Sequence, residues 1–212
     1  APGETLRDVI VKAGGLAEDA YLFGTKLNRR AIAAEQEQQK QKALEQAERM
    51  LVSAQASNAA SAISAADAAN AQKQAQVQGA YLERLRKMKP EGRVVLEVKP
   101  DAQSIAELPP IELVDGDVVA VPSLPGQVAV LGSVYSQGVY AFQPGNTVFD
   151  YLGMAGGAAK GADDDSIFVI RANGTVDSAQ QGWVPFVSGL YGKRALPGDA
   201  IYVPEDFERV SL

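Results

Sequence analysis

The chain contains no His and no Cys among its 212 residues. His is the commonest general base near neutral pH and the commonest transition-metal ligand; Cys supplies thiolate nucleophiles, zinc ligands and disulfides. Ser-His-Asp triads, zincin chemistry and thiol chemistry are thereby excluded, and an enzyme here would work with carboxylates, Lys or Tyr. The carboxylates that invite attention are Asp163-Asp164-Asp165, Asp8 with Asp150, and Asp117 with Asp199. Clustered oxygens suit hard cations, but the Asp triplet lacks EF-hand spacing and its terminal Glu, and reads as a solvated loop between a helix and a strand. The two pairs recur at equivalent places in a repeat, each with a local task in a cap or a turn. A carboxylate glycosidase needs two carboxyls facing a cleft about 5 to 10 Å apart, and no pair lacks a structural explanation. No residue is therefore assigned as catalytic, cofactor-binding or metal-binding, and no cofactor is expected.

Other candidates reduce in the same way. Asn173-Gly174-Thr175 matches a glycosylation sequon, yet Asn-Gly is also a hairpin turn. The Ala-Gly-Gly pairs at 13–15 and 155–157 follow a helix instead of preceding one, so they read as helix stops and not as phosphate cradles. Tyr135, Tyr140, Tyr151, Trp183, Tyr191 and Tyr202 crowd into one region, and aromatic faces do stack on sugar rings; their alternation within strands reads as core packing. Arg84, Arg86, Lys87 and Lys89 end a predicted helix, where cations complement the macrodipole.

These residues are positioned by a repeat. APGETLRDVIVKAGG at the start and QPGNTVFDYLGMAGG at 143–157 align with an offset of 142, pairing Pro2-Gly3 with Pro144-Gly145, Thr5 with Thr147 and Asp8 with Asp150. Pro-Gly makes a turn, and Thr with Asp three residues on is a capping-box signature. Leu6, Val9, Ile10 and Ala13, like Val148, Tyr151, Leu152 and Ala155, fit one face of a two-turn helix. Strands are expected next, at Leu22 to Leu27 and Ile167 to Arg171. A second phrase closes both copies: LVDGDVVAVP at 113–122 matches ALPGDAIYVP at 195–204, now with an offset of 82.

The two offsets differ by 60, so the first copy carries about 60 residues that the second lacks. They replace a hairpin tip, the RANGTV turn of the second copy, and form an Ala/Gln-rich segment of roughly Arg30 to Pro90. Two helices are expected, at Ala31 to Ala56 and Ile63 to Lys89, broken at Ser57 to Ser61. Leu44, Ala47, Leu51 and Ala54 form a seam on the first, and Val77, Tyr81, Leu85 and Met88 on the second. Each arm would project roughly 35 to 40 Å at 1.5 Å per residue. The second copy opens with a strand pair, Val128 to Val134 and Gly138 to Phe142, that the first does not show, so the chain reads as starting inside a domain.

Two strands, a short helix ending in Ala-Gly-Gly, further strands and a closing Gly-Asp-x-x-x-Val-Pro resemble the soluble-ligand-binding β-grasp (SLBB) domain. The residues that carry this are VAVLGSVYSQGVYAFQPGNTVFDYLGMAGG with PGDAIYVP, and PGETLRDVIVKAGG with DGDVVAVP. Two such domains in tandem resemble the outer-membrane polysaccharide export proteins of Gram-negative bacteria. The resemblance does not extend to the amino-terminal export-signature domain or the carboxy-terminal amphipathic membrane helix of ring-forming members. Related β-grasp domains also occur in cobalamin carriers, respiratory complexes and DNA-uptake proteins.

The expectation is thus an α+β protein: 1–30 and 91–123 form a first β-grasp domain interrupted by a helical hairpin at 31–90, and 124–212 form a second. The resemblance implies a non-enzymatic, periplasmic component of capsular or exopolysaccharide export, associated with the outer membrane in the full-length protein. Implied partners are further copies of itself, an inner-membrane polysaccharide co-polymerase or transporter, and polysaccharide, whose contact residues stay unassigned. A net charge of −6 speaks against a nucleic-acid partner, and no apolar run approaches a membrane span. The alternative is a β-grasp module binding a small ligand, such as a cobalamin or an oligosaccharide, without a pore.

Overall fold

The structure, a computed structural model, describes residues 3–61, 76, 79, 82, 83, 85–178 and 189–206. It divides into two compact units, one of Ala1–Leu27 with Val95–Leu212 and the other of Asn28–Val94. In the larger unit, helix α1 (Leu6–Lys12) begins at a reciprocal cap: Thr5 N–H donates to Asp8 Oδ2 at 2.8 Å, while Asp8 N–H reaches Thr5 Oγ1. It ends where Gly14 and Gly15 take φ of +104° and +89°, which lets Gly15 N–H return to Ile10 C=O at 2.9 Å. The repeat reproduces all of this. Helix α3 (Val148–Met154) is capped by Thr147 with Asp150 and closed by Gly157 N–H on Leu152 C=O at 2.8 Å.

Strands β1 (Lys26–Asn28) and β3 (Val118–Ala120) pair in the first repeat, and Arg93–Val94 forms the short strand β2. The second repeat holds β4 (Gln127–Gly132), β5 (Gly138–Ala141), β6 (Phe168–Ile170), β7 (Val176–Ser178) and β8 (Ala200–Val203) in the order β5-β4-β8-β6-β7. β4 runs parallel to β8, with Val130 opposite Ile201, and every other neighbouring pair is antiparallel. A parallel pair with an intervening helix, in a mixed sheet packed on one face by that helix, is the α+β arrangement expected. Val128, Val130, Val169, Ile201 and Val203 meet Val148, Tyr151, Leu152 and Ala155 to form the core. Tyr151 anchors it twice, its hydroxyl donating to Ala141 C=O at 3.3 Å and accepting from Gln143 N–H at 2.8 Å.

Three expectations are corrected in the described residues. The segment Leu22–Leu27 is not one strand: Leu22–Gly24 makes a 3-10 turn before β1. Gly24 is pressed so closely to its surroundings that a Cβ there would stand 2.9 Å from Pro122 Cγ, a tertiary contact that local alternation does not encode. The aromatic residues divide, with Tyr140 and Tyr191 partly buried against the core. Tyr151 is fully buried, but Tyr135 and Tyr202 are exposed, because the inward residues of β8 are Ile201 and Val203 and Tyr202 points the other way. Trp183 lies outside the described residues.

The third correction concerns the smaller unit. Helix α2 spans Arg30–Ser61 and runs through the Ser-Asn-Ala-Ala-Ser segment read as a break; Ala is the best helix former, and Ser and Asn have propensities that cost too little to end a helix. Leu44 is buried on it, as expected, whereas Ala54 is exposed. Of the second expected helix, residues 76, 79, 82, 83 and 85–87 are described and helical. Among its described residues Leu82 is buried, while Met88, placed on the seam, is 62% exposed; Val77 and Tyr81 lie outside the described residues. Lys40 Nζ donates to Met88 C=O at 2.6 Å, and Arg86 is paired with Glu48 and Glu83.

Candidate functional site

The closing turns show how the paired carboxylates are used. Asp117 Oδ2 accepts from Val114 N–H at 3.0 Å, and Asp199 Oδ2 accepts from Leu196 N–H at 2.7 Å, the same bond in each repeat. Asp8 and Asp150 are committed to their caps, and those hydrogen bonds hold both carboxyls below the usual Asp range. Asp163 Oδ1 accepts from Asp165 N–H at 3.1 Å and Ser166 N–H at 3.2 Å, and Asp164 C=O takes the Tyr191 hydroxyl at 2.9 Å. The triplet is a capped turn. Asn173 is likewise a turn residue: its side-chain oxygen takes Thr175 N–H and Oγ1, and Gly174 N–H closes on Arg171 C=O at 2.9 Å. Among the described residues, no three acidic side chains are placed to hold a metal ion.

The sequence reading missed a polar cluster within the second repeat, between the end of β6 and the closing turn. Arg171, 7% exposed, donates to Asp199 Oδ2 at 2.5 Å, to Asp177 Oδ2 at 2.8 and 2.9 Å, and to Arg194 C=O at 3.2 Å. Lys193 Nζ reaches the other oxygen of Asp177 at 3.1 Å, so two cations face two carboxylates. Tyr21 arrives from the first repeat, its N–H on Pro122 C=O at 2.8 Å and its ring edge-on to Phe23. Its hydroxyl and Asp199 Oδ1 are buried with no hydrogen-bond partner among the described residues. Burial, aided by the Asp199 charge, pushes the Tyr21 hydroxyl up to about 12. Burial likewise pushes Asp199 up to about 6, against the opposing pull of Leu196 N–H and Arg171. An Arg closing an otherwise apolar strand, and an Asp in a phrase that repeats, were the available signals. The cluster is chemically closed: Asp199 is 1% exposed and its Oδ2 is engaged by Arg171 and Leu196, so it ties the closing turn to the end of β6 and does not face a substrate.

Two surfaces remain open. The sheet face of the second repeat opposite α3 carries Leu131, Val139, Ile170, Val176 and Tyr202, all exposed, with Phe168 stacked on Tyr202 at 5.1 Å and 31°. In the first repeat, α1 and β3 border a cavity of about 310 Å³ lined by Val9, Ile10, Ala13, Val119 and Val121 among others.

The SLBB domain model matches residues 1–36 and 127–177, one segment in each repeat. Two curated Escherichia coli proteins, both described as polysialic acid transport protein KpsD, are each 26% identical over 210 residues, 99% of this chain and 33% of theirs. The chain thus spans about a third of the length of these relatives. Repeated caps, helix stops and closing turns, together with the domain match in both repeats, lead to one conclusion: each repeat carries a segment similar to the SLBB domain, and the chain is similar over nearly its whole length to polysaccharide transport proteins.

Proposed function

We propose that this chain is a periplasmic, structural part of a machine that exports capsular or exopolysaccharide across the Gram-negative outer membrane. The observation that carries this reading is the tandem SLBB repeat, aligned over 99% of its length with polysialic acid transport proteins. It is supported by the site chemistry: the carboxylates singled out are spent on caps, turns and a buried ion pair. In this reading the chain does no covalent chemistry. Its domains stack between protomers into a collar that guides polymer and docks an inner-membrane co-polymerase or transporter, and the helical insert serves as a contact arm. A net charge of −6 suits such a conduit for an acidic polymer, because like charge keeps the polymer from adhering.

The test pairs sedimentation velocity with calorimetry on the purified full-length protein. Concentration-dependent oligomers, with no saturable heat from cobalamin or short oligosaccharides and no hydrolase or transferase activity, are expected. Saturable one-to-one binding by a protein that stays monomeric would replace export with the small-ligand reading.

A further inference from the structure

The strand register lays out the second repeat's sheet row by row. Val128, Val130, Val169, Ile201 and Val203 point into the core, so their neighbours along each strand point away from it. One outward row runs Val139, Ala129, Ala200, Ile170 and Val176 across β5, β4, β8, β6 and β7. The next row, about 7 Å further along the strands, runs Leu131, Tyr202, Phe168 and Ser178 across β4, β8, β6 and β7. Neither row contains a charged residue. Leu131, Val139, Ile170, Val176 and Tyr202 are between 39% and 60% exposed. At roughly 150–250 Å² per whole residue, these fractions leave about 400 Å² of apolar surface open, the size of a patch that serves as a contact site.

The two rows differ in relief. Ala129 and Ala200 are register partners and make a hollow in the first row, while Leu131 and Tyr202, also partners, make a ridge in the second. Phe168 extends the ridge by stacking on Tyr202 at 5.1 Å. On β7 the order is reversed, with Val176 large and Ser178 small. A half-turn about an axis lying between the rows exchanges them. It carries Tyr202 over Ala200, Leu131 over Ala129 and Val176 over Ser178 of a second molecule, so large meets small at each place. We propose that this face is a self-complementary dimer interface, on which a second molecule of this protein packs sheet to sheet, about 10 Å away, by two-fold symmetry. Charge favours the same occupant. At a net charge of −6 two molecules repel each other, and this face brings them together without burying or opposing a carboxylate. Two such patches bury about 800 Å² in all, the low end of specific interfaces, so the pairing is weak and depends on concentration. A two-fold contact closes on itself and pairs two molecules without extending further. The inference does not rest on the export reading, which pairing of the purified protein neither needs nor tests.

Sedimentation velocity of the full-length protein, from micromolar to millimolar concentration, is expected to show an association step that doubles the mass. Tyr202→Asp puts a charge on the ridge and is expected to abolish that step. Ala200→Tyr fills the hollow: it adds apolar surface, yet it meets Tyr202 of the second molecule and is expected to weaken pairing about tenfold or more. Ala200→Tyr with Tyr202→Ala exchanges ridge and hollow, and under the two-fold register it is expected to pair again. Thermal midpoints of the three variants, taken at monomer concentrations, separate lost pairing from lost folding, and the exchanged variant supplies a gain that misfolding cannot mimic. A protein that stays monomeric throughout, an association that Tyr202→Asp leaves unchanged in a folded variant, or one that Ala200→Tyr tightens would each overturn the assignment. The first would leave the face to a different partner, and the last would make it an adhesive surface without register.

Discussion

Arg171→Met asks whether the closing turn of the second repeat is held to the end of β6 by charge. The substitution keeps most of the side chain's apolar volume but leaves Asp199 buried without its cation, while Asp177 retains Lys193 at 3.1 Å. Removing one partner of a buried ion pair costs about 3–5 kcal/mol, and that is the loss expected at pH 8. The loss must depend on pH. Asp199 already stands at about 6 with the guanidinium beside it; without that charge it rises further, and at pH 5 it is neutral. Each pH unit by which it rises separates the losses at pH 8 and pH 5 by about 1.4 kcal/mol, so a rise of about one to two leaves about 1–3 kcal/mol at pH 5. Arg171→Met/Asp199→Asn contains no unpaired Asp199 charge and is expected to be more stable at pH 8 than Arg171→Met alone, by about 0.5–3 kcal/mol of coupling. Urea unfolding followed by far-ultraviolet circular dichroism at both pH values reads all of this. A loss equal at pH 5 and pH 8, or strictly additive single variants, would refute the argument that an uncompensated carboxylate is the cost.

The wild-type protein carries the same signature. Asp199 binds its proton more tightly folded than unfolded, so its contribution is full below the free value of 3.8 and is lost as pH rises through about 6; the difference in stability between wild type and Asp199→Asn should therefore vary between pH 4 and 6 and level off above 7. Tyr151→Phe strands Gln143 N–H and is expected to cost about 1–2 kcal/mol by chemical denaturation. Gly157 holds φ of +82° with nothing within 4 Å of the place an added methyl would take, so Gly157→Ala should cost about 1–2 kcal/mol through backbone conformation alone, with no change in core packing by near-ultraviolet dichroism. Replacing residues 30–90 by Asn-Gly tests the proposed division at the insert: the remaining β-grasp repeats should unfold within about 3 °C of the parent in calorimetry, since the core residues of the second repeat all lie outside that segment.

What the sequence revealed is what the chain encodes locally. Thr5 with Asp8 and Thr147 with Asp150 each form a complete cap within four residues, and Asn173-Gly174 turns β6 into β7 with bonds confined to its own loop. Such features are visible because spacing alone determines the bond. Leu22–Gly24 is different: its 3-10 turn follows from Pro122 and Tyr21 pressing on Gly24, a contact across about 100 residues that alternation cannot register. Leu82 is buried although the seam did not include it, and Met88, which the seam did include, is exposed, because a sparse Ala/Gln helix has too few large apolar residues to define its inward face. Tyr202 was read as core because aromatic residues favour strands, yet on β8 the inward positions belong to Ile201 and Val203. The Arg171–Asp199 pair escaped because each residue had a plausible local task, and only the fold brings positions 28 residues apart to 2.5 Å.

The central claim, that this chain serves polysaccharide export, is tested most directly by deleting the gene for its full-length protein in the host and measuring surface polymer against polymer retained in the periplasm. The account predicts loss from the surface with accumulation inside, restored by the intact gene. Unchanged surface polymer, with none retained, would contradict it.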